Sequence, residues 1–498
     1  MKSLKDILYK VEIASVIGTT DLPISSVHFD SRKVKKQSLF VAVKGTITDG
    51  HEYILQAIKN GATAIVAEQL PSKTEKNISY IIVKNSSKEL AVIATNYFEN
   101  PSEKLKLIGV TGTNGKTTTA RLIDHIFKLA GNTVGMCTTD GVYIKNRLIY
   151  RGDMTGPMSH KMVLTDPTVD LAILECARGG ILRAGLGFKN CNVGVVTNVS
   201  EDHLGLRGIH TVDQLARVKS IIPEIVKQDG VAVLNADDSL VHAMSEKTKG
   251  SVIFFSLDWE NNPVVSTHLK EGGTAVVFDD GWLCMMKGQW KYPIADVKNV
   301  PLTFDGKAKF NIMNALAAAG AAIGLGLKLE NIKAGLTTFF PSHAQTPGRL
   351  TMTDMGNFNV LVDYAHNKAG YDALIDFVSS YNPEKVIMTL CVPGDRRDED
   401  FESIAESCAK YVDTIVLFES YLRGLDEGEL SEKLKKYLIK HGMTEDQIII
   451  IYDEQEAVQY CLDAGGEYDF VILSNYDIDD THSKVQAHKE KLEQEKSA

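Results

Sequence analysis

Apolar residues along this chain fall into short runs of strand length, separated by stretches in which they recur every three or four residues. In the first hundred residues the pattern predicts strands at Ser38–Val43 (SLFVAV), Thr63–Ala67 (TAIVA) and Tyr80–Val83, with helices at Tyr53–Asn60 and Lys88–Phe98. It then predicts strands at Leu105–Val110, Leu171–Leu174 (LAIL), Val193–Thr197 (VGVVT), Val231–Leu234 and Val252–Phe255, with helices that include Lys116–Leu129 and Val212–Val226. Residues 258–310 read as irregular hairpins, an edge or an insertion, and Asn311–Leu325 as a tight, Ala-rich helix. After the turn-rich stretch Pro341–Arg349 the alternation resumes, with strands at Asn359–Val362, Val386–Cys391, Thr414–Phe418, Gln447–Ile451 and Phe470–Leu473. Helices are expected there at Gly370–Tyr381, Phe401–Tyr411 and Glu454–Ala464, and the last fifteen or so residues read as a solvated helix or a frayed tail. Strands alternating with helices predict an α/β chain with parallel sheets and ligands at the strands' carboxyl ends.

Length divides this pattern. At 498 residues the chain exceeds what one core holds, and about three domains are expected: 1–100, 101–343 and 344–498. Hydrophobic content of 44% and charged content of 24% are those of an ordinary soluble globular protein. The net charge of −10 argues against a nucleic-acid footprint. No segment approaches ~20 uninterrupted apolar residues, so no membrane span is expected. The start, MKSLKDILYKVEIASV, carries charges within it and does not read as a signal peptide. Seven scattered cysteines without a C-x-x-C pair suggest reduced thiols in a cytoplasmic protein.

The chemistry centres on Leu105–Leu122, LKLIGVTGTNGKTTTARL. A strand, a glycine-bearing turn and a helix in succession make the context of a phosphate-binding loop. Gly112 and Gly115 let backbone N–H groups close on an anion at the helix N-terminus, with Thr113, Asn114 and Thr118 beside them. Lys116 can reach the terminal phosphates of ATP, and the Thr117 hydroxyl can ligate Mg²⁺. The fit to G-x-x-x-x-G-K-[ST] is imperfect, because Val110 takes the first glycine position. Other loaded residues fall at strand ends: Glu175 after LAIL, and Asn198, Asp202 and His203 after VGVVT. A carboxylate one strand from the loop is well placed for Mg²⁺, whereas a lone His is more often structural. The segment ECARGGILRAGLGF (175–188) puts Arg178 and Arg183 in a glycine-rich loop beside the phosphates, where either can grip a carboxylate bidentately. Lys219, on a helix, reads by itself as a solvated charge. In the first domain, Ser25, Ser26, Asp30, Ser31, Arg32, Lys44, Gly45, Gly50 and His51 fit either a phosphorylated ligand or plain capping and turn chemistry. In the last, Asp363–Asn367 (DYAHN) and Gly394–Asp400 (GDRRDED) carry ligand candidates at strand ends.

Taken in order, GVTGTNGKTT (109–118), Glu175, NVSEDHL (198–204), the Lys219 helix, FNIMNALAA (310–318), TPGR (346–349), DYAHN and GDRRDED resemble the Mur ligase superfamily. Residues 26–53 resemble the uridine-nucleotide domain of the ligase that makes UDP-MurNAc-tripeptide. From about residue 135 the chain resembles the ligase half of cyanophycin synthetase, without that enzyme's ATP-grasp half. The resemblance implies a three-domain architecture with a central P-loop, parallel-sheet ATPase domain and a Rossmann-like C-terminal domain. It implies ATP and two Mg²⁺ ions, and an acyl-phosphate route from a small-molecule or peptide carboxylate and an amino-acid amine to an amide. By resemblance, Lys116 holds the β/γ-phosphates, Thr117 the first Mg²⁺, and Glu175 with His203 the second. Lys219 matches a lysine that several members carbamylate into a metal ligand. Asn311 would face adenine, Arg349 the phosphates and Asp363 the ribose. His366, Asn367, Asp395 and Arg396 would lie near the substrate, and Ser26, Ser31, Arg32, Lys44 and His51 would serve a UDP-linked one. GDRRDED replaces the D-N-P-R-type motif that reads diaminopimelate, which leaves the amino acid open. Two other readings stay open: a ligase for a free peptide, and a non-catalytic binding module. An oligomer is also compatible with the sequence.

Overall fold

The computed structural model of the chain describes residues 2–44, 49–97 and 105–497. Gly45, Phe98 and the expected boundary at residue 100 lie outside the described residues. Three main sheets carry a mixed α/β fold.

The first sheet runs β1 (Ile13–Ile17), β2 (Ser26–His28), β3 (Ser38–Val41), β4 (Ala62–Ala67) and β5 (Ser79–Val83) in the order β1-β5-β4-β3-β2. Only β1 pairs antiparallel. Helix α1 (Ser86–Tyr97) follows it.

The second sheet has eleven strands. They are β6 (Lys106–Thr111), β7 (Val134–Cys137), β8 (Gly141–Ile144), β9 (Arg147–Arg151), β10 (Leu171–Glu175), β11 (Cys191–Val196), β12 (Val226–Asn235), β13 (Ser251–Ser256), β14 (Thr274–Asp279), β15 (Trp282–Lys287) and β16 (Trp290–Asp296). The order is β9-β8-β7-β10-β6-β11-β12-β13-β14-β15-β16. The strands from β7 through β14 are parallel, and an antiparallel hairpin closes each end. Buried side chains cover both faces of this sheet, which is why its central strands read as continuous apolar runs. Helices α2 (Lys116–Leu129) and α5 (Lys309–Gly324) pack together on one face, and the alanines of α5 are small enough for close approach.

The third sheet, β17 (Thr351–Asp354), β18 (Asn359–Asp363), β19 (Val386–Leu390), β20 (Thr414–Leu417), β21 (Ile448–Ile450) and β22 (Phe470–Ser474), runs β17-β18-β22-β19-β20-β21. Only β17 is antiparallel. Helix α6 (Lys368–Ser379) follows β18, and α7 (Ile478–Ser497) ends the chain.

Two expectations need correction and two are refined. The stretch Glu175–Phe188 is not a plain loop, because Arg178–Ala184 forms helix α3. Its apolar Ile181 and Leu182 and the helix-favouring Ala184 suit a helix, and Gly180 is needed because a Cβ there would lie 2.2 Å from the Thr155 carbonyl oxygen. The helix expected over Val212–Val226 stops at Lys219 as α4 (Val212–Lys219), and a short turn of helix, Ile221–Glu224, follows. Pro223 has no N–H for the Lys219 carbonyl, so the ladder breaks there. Residues 258–310 do form edge hairpins, β14–β16 at the end of the large sheet, and also include an unexpected helix, Pro263–Lys270, with Pro at its first turn. The tail is the helix α7, which docks at its start through fully buried Thr481 and Val485 and has no buried residue over 489–496.

Candidate active site

The turn between β6 and α2 is held open by its glycines. Gly112 and Gly115 have φ of 151° and 82°. A Cβ on either would collide with Thr197 Oγ1 at 1.8 Å or Asn314 Oδ1 at 2.2 Å. The end of β11 fixes the loop backbone: Thr113 N–H donates to the Asn198 carbonyl (2.9 Å), Asn114 N–H to Asn198 Oδ1 (2.8 Å), and Thr197 Oγ1 to the Asn114 carbonyl (2.6 Å). Lys116 folds back so that its Nζ donates to the Thr113 carbonyl at 2.7 Å.

Glu175, at the end of β10, is fully buried one strand away. Its Oε2 accepts the Thr117 hydroxyl at 2.9 Å and lies 3.4 Å from the Thr139 N–H, while Thr139 Oγ1 sits 3.1 Å from Thr117 Oγ1. Its buried Oε1 has no hydrogen-bond partner among the described residues. Burial pushes this carboxyl up, and the Lys116 ammonium opposes that shift. A buried carboxylate oxygen lacking a donor, ringed by hydroxyls, is a donor set that fits a hard cation such as Mg²⁺. Thr139 was not singled out in the sequence; the hydroxyl pair in CTTDG after β7 was the available signal.

Lys219 ends α4, is 3% exposed, and donates from Nζ to the Gly112 carbonyl at 2.6 Å. Burial, with Lys116 nearby, brings its ammonium down to about 7. It is a buried amine held against the Gly112–Gly115 turn and not the solvated charge its helix position alone suggested.

A second group straddles the central and last sheets. Asp202 Oδ1 is 3.8 Å from His203 Nε2, and its Oδ2 is 3.8 Å from His366 Nε2. Arg396, almost wholly buried, places Nη1 3.4 Å from Asp202 Oδ1 and Nη2 3.2 Å from His203 Nε2. Burial alone would raise the Asp202 carboxyl, yet His366, His203 and Arg396 hold it well below the carboxylate range. Burial takes the His203 imidazole down to about 4, so it is neutral and accepts from Arg396. His203 also has φ of 53°, a left-handed conformation in a non-glycine residue. Asp202 belongs to this group although the sequence marked it only as a strand-end residue.

These residues line one cavity of about 880 Å³. Its wall includes Gly112 through Thr118, Glu175, Arg178, Arg183, His203, Lys219, Asn311, Arg349, Asp363, His366, Asp395 and Arg396. Arg178 is buried and its Nη2 donates to the Leu206 carbonyl, whereas Arg183 is exposed, with Nε on the Gly179 carbonyl at 3.0 Å. Asn311 is spent inside the central domain: Nδ2 donates to the Leu302 carbonyl in the turn before α5 and Oδ1 accepts from Asn314 on α5, both at 3.0 Å. Asp363 accepts the Leu350 N–H at 2.7 Å, and the Arg349 guanidinium lies 4.9 Å over the Tyr364 ring. Asp395 is exposed.

Asn367 does not line the cavity. Its side chain pairs with Asn114 of the loop. Nor do the candidates of the first domain converge. Ser26 Oγ is 2.8 Å from Ser38 Oγ and 3.0 Å from His28 Nε2, and Ser31 is buried. Arg32 forms a fork on Asp30 at 2.9 and 3.0 Å. Lys44 is exposed, and His51 sits between Asp49 (2.6 Å) and the Glu68 N–H (2.9 Å). That domain instead leans on two helices of the central one: Ser87 Oγ donates to the Arg183 carbonyl of α3 at 2.7 Å, and Lys161 Nζ, on the helix Pro157–Leu164, donates to the Val27 carbonyl at 3.2 Å.

Three family models match the chain: the Mur ligase family, catalytic domain, over residues 23–106; the Mur ligase middle domain over 110–322; and the Mur ligase glutamate ligase domain over 348–474. Among curated relatives, the cyanophycin synthetase of Nostoc sp. (strain PCC 7120) is 45% identical over 386 residues, 77% of this chain and 42% of that protein. The chain therefore spans less than half the length of such relatives. The UDP-N-acetylmuramoyl-L-alanyl-D-glutamate–2,6-diaminopimelate ligase of Clostridium tetani is 29% identical over 482 residues, 95% of this chain and 93% of that one. Among solved structures, MurF from Acinetobacter baumannii superposes with a TM-score of 0.66 at 18% identity, covering 97% of this chain and 98% of that one. MurF from Thermotoga maritima in complex with ADP gives 0.62 at 20% identity over 94% and 98%.

Proposed function

The chain belongs to the Mur ligase family, and from that premise we propose an ATP-dependent ligase that joins a substrate carboxylate to an amine through an acyl phosphate. The observation that carries this reading is the convergence of Lys116, Thr117, Glu175 and Lys219 at the strand ends around one cavity. In this reading the backbone N–H groups of 115–117, at the N-terminus of α2, hold the β- and γ-phosphates of ATP. Lys116 swings from the Thr113 carbonyl to the transferring phosphoryl group and neutralises its charge. Thr117 and Glu175, with His203 and Lys219 beside them, would hold Mg²⁺, which when bound supplies charge neutralisation at the phosphates. Two such ions are proposed, the second depending on carbamylated Lys219. The buried Lys219 amine, its ammonium brought down to about 7, supports that modification, because only a neutral amine attacks CO₂. Arg349 and Asp363 bring the C-terminal domain to the nucleotide, and Arg178, Arg183, Asp395 and Arg396 face the substrates. Domain closure keeps water from the acyl phosphate.

For the carboxylate, we propose a UDP-MurNAc-peptide or a similar compound, with addition of an amino acid in a cytoplasmic step of peptidoglycan synthesis. End-to-end likeness to the diaminopimelate ligases supports it. A free peptide is the second reading, supported by the higher identity to cyanophycin synthetases. The test is phosphate release from ATP–Mg²⁺ with candidate amino acids and either UDP-MurNAc-dipeptide or short aspartyl peptides. Amino-acid-dependent release with amide product supports the ligase. Release that ignores both co-substrates overturns it.

A further inference from the structure

Two asparagines separated by 253 residues close on each other across the interface between the central and C-terminal domains. Asn114 Nδ2 donates to Asn367 Oδ1 at 3.0 Å, and Asn367 Nδ2 donates to Asn114 Oδ1 at 3.0 Å. Asn114 stands in the phosphate loop, where its N–H and carbonyl are already bonded to Asn198 and Thr197. Its side chain therefore takes no part in shaping the loop and is directed at the other domain. Asn367 is the N-cap of α6: its Oδ1 also accepts the Gly370 N–H at 2.9 Å. The cap fixes which end of the Asn367 amide is oxygen, and that in turn fixes Asn114. Asn367 is 4% exposed and lies outside the cavity lining while Asn114 is part of it, so the pair ties a cavity residue to the last domain and engages one Nδ2 hydrogen and the Oδ1 of each amide.

We infer that Asn367 is a positioning residue that couples docking of the C-terminal domain to the conformation of the phosphate loop, and this rests on the reading of that loop as an ATP site. A two-bond amide pair tolerates little misalignment, so it forms in one register of the domains. When it opens, both amides turn to water, so its net worth is small and it can act as a reversible latch. Arg396 on Asp202 and His203, and Arg397 on Glu201 at 3.2 Å, cross the same interface and hold the same closed arrangement.

The test uses Asn367→Ser, which keeps a good N-cap but is too short to reach Asn114, together with Asn114→Ser, which lies outside α6. Each single variant and the double variant is titrated calorimetrically with AMP-PNP and Mg²⁺, and the radius of gyration is measured by small-angle scattering with and without that nucleotide. The latch predicts a larger radius for each single variant, a dissociation constant raised about fivefold, and a double variant no worse than either single one. Wild-type radius and affinity in Asn367→Ser, or additive losses in the double variant, would overturn it. If the unmodified protein gives no heat with AMP-PNP, the ATP reading fails, and the scattering comparison alone then decides the latch.

Discussion

The first domain and the central site were marked by the same kinds of residue, yet their partners differ in origin. In the first domain the charged candidates pair with near neighbours. Arg32 binds Asp30 and His51 binds Asp49, each two residues away, and both aspartates cap a short 3₁₀ turn. In the central site Thr117 meets Glu175 from 58 residues away, Lys219 meets Gly112 from 107, and Asn114 meets Asn367 from 253. Polar residues satisfied by their own turn need no ligand. Polar residues brought together by the fold, with one carboxylate oxygen left unpaired, offer a ligand free valences.

The largest expected break of this contrast is Lys116→Ala. Among the described residues Lys116 hydrogen-bonds to the Thr113 carbonyl and to no other group, so its loss should leave the melting temperature within a few degrees. Turnover should fall by about 10²–10³-fold or more, because a preorganised charge at the phosphoryl group is lost. Near-normal turnover in the folded variant would remove the ATP site.

Lys219→Ala comes next. Loss of most activity, with partial return on adding formate or acetate, would show that carboxylate-type oxygens are what the position supplies. A fully active variant would make Lys219 a structural amine that holds the Gly112 carbonyl.

The sequence made the elements legible where periodicity was strong, as in α2 and in the strands that flank the loop. It did not reveal α3, because a glycine pair looks like a loop until the close approach to Thr155 is known. Neither did it reveal that α7 docks, since a few buried positions such as Thr481 and Val485 among Lys and Glu give little periodic signal. In the site, loop and strand-end residues were readable from local context. The burial of Lys219, the unpaired Glu175 oxygen and the Asn114–Asn367 contact are tertiary facts, which spacing cannot carry. Thr139 and Asp202 were missed as members of the site for the same reason.

A smaller effect is expected from Arg32→Ala, which tests the first domain directly. Its guanidinium is forked on Asp30 with a side chain 81% exposed, so it can still reach a diphosphate. If UDP-MurNAc binds there, calorimetry should show affinity falling about tenfold in the variant, as for a charged hydrogen bond. No heat at millimolar UDP-MurNAc would leave this domain as support for α3 and favour the free-peptide substrate.

The smallest effect belongs to Asp49. Its carboxylate accepts the His51 backbone N–H and the His51 imidazole, and both hold it below the ordinary value of 3.8. A carboxylate lowered on folding stabilises the fold above its ordinary value, and that contribution disappears as the pH falls through the lowered one. Amide exchange at His51 should therefore speed up as the pH drops below about 4, after correction for intrinsic rates. Asp49→Asn keeps the cap acceptor but cannot titrate, so its exchange should lack that acid step while matching the parent near neutrality. If Asp49→Asn also weakened UDP-MurNAc binding, the local pair would be serving a ligand as well as its own turn. The contrast between the two regions would then lie in where their partners come from and no longer in what they do.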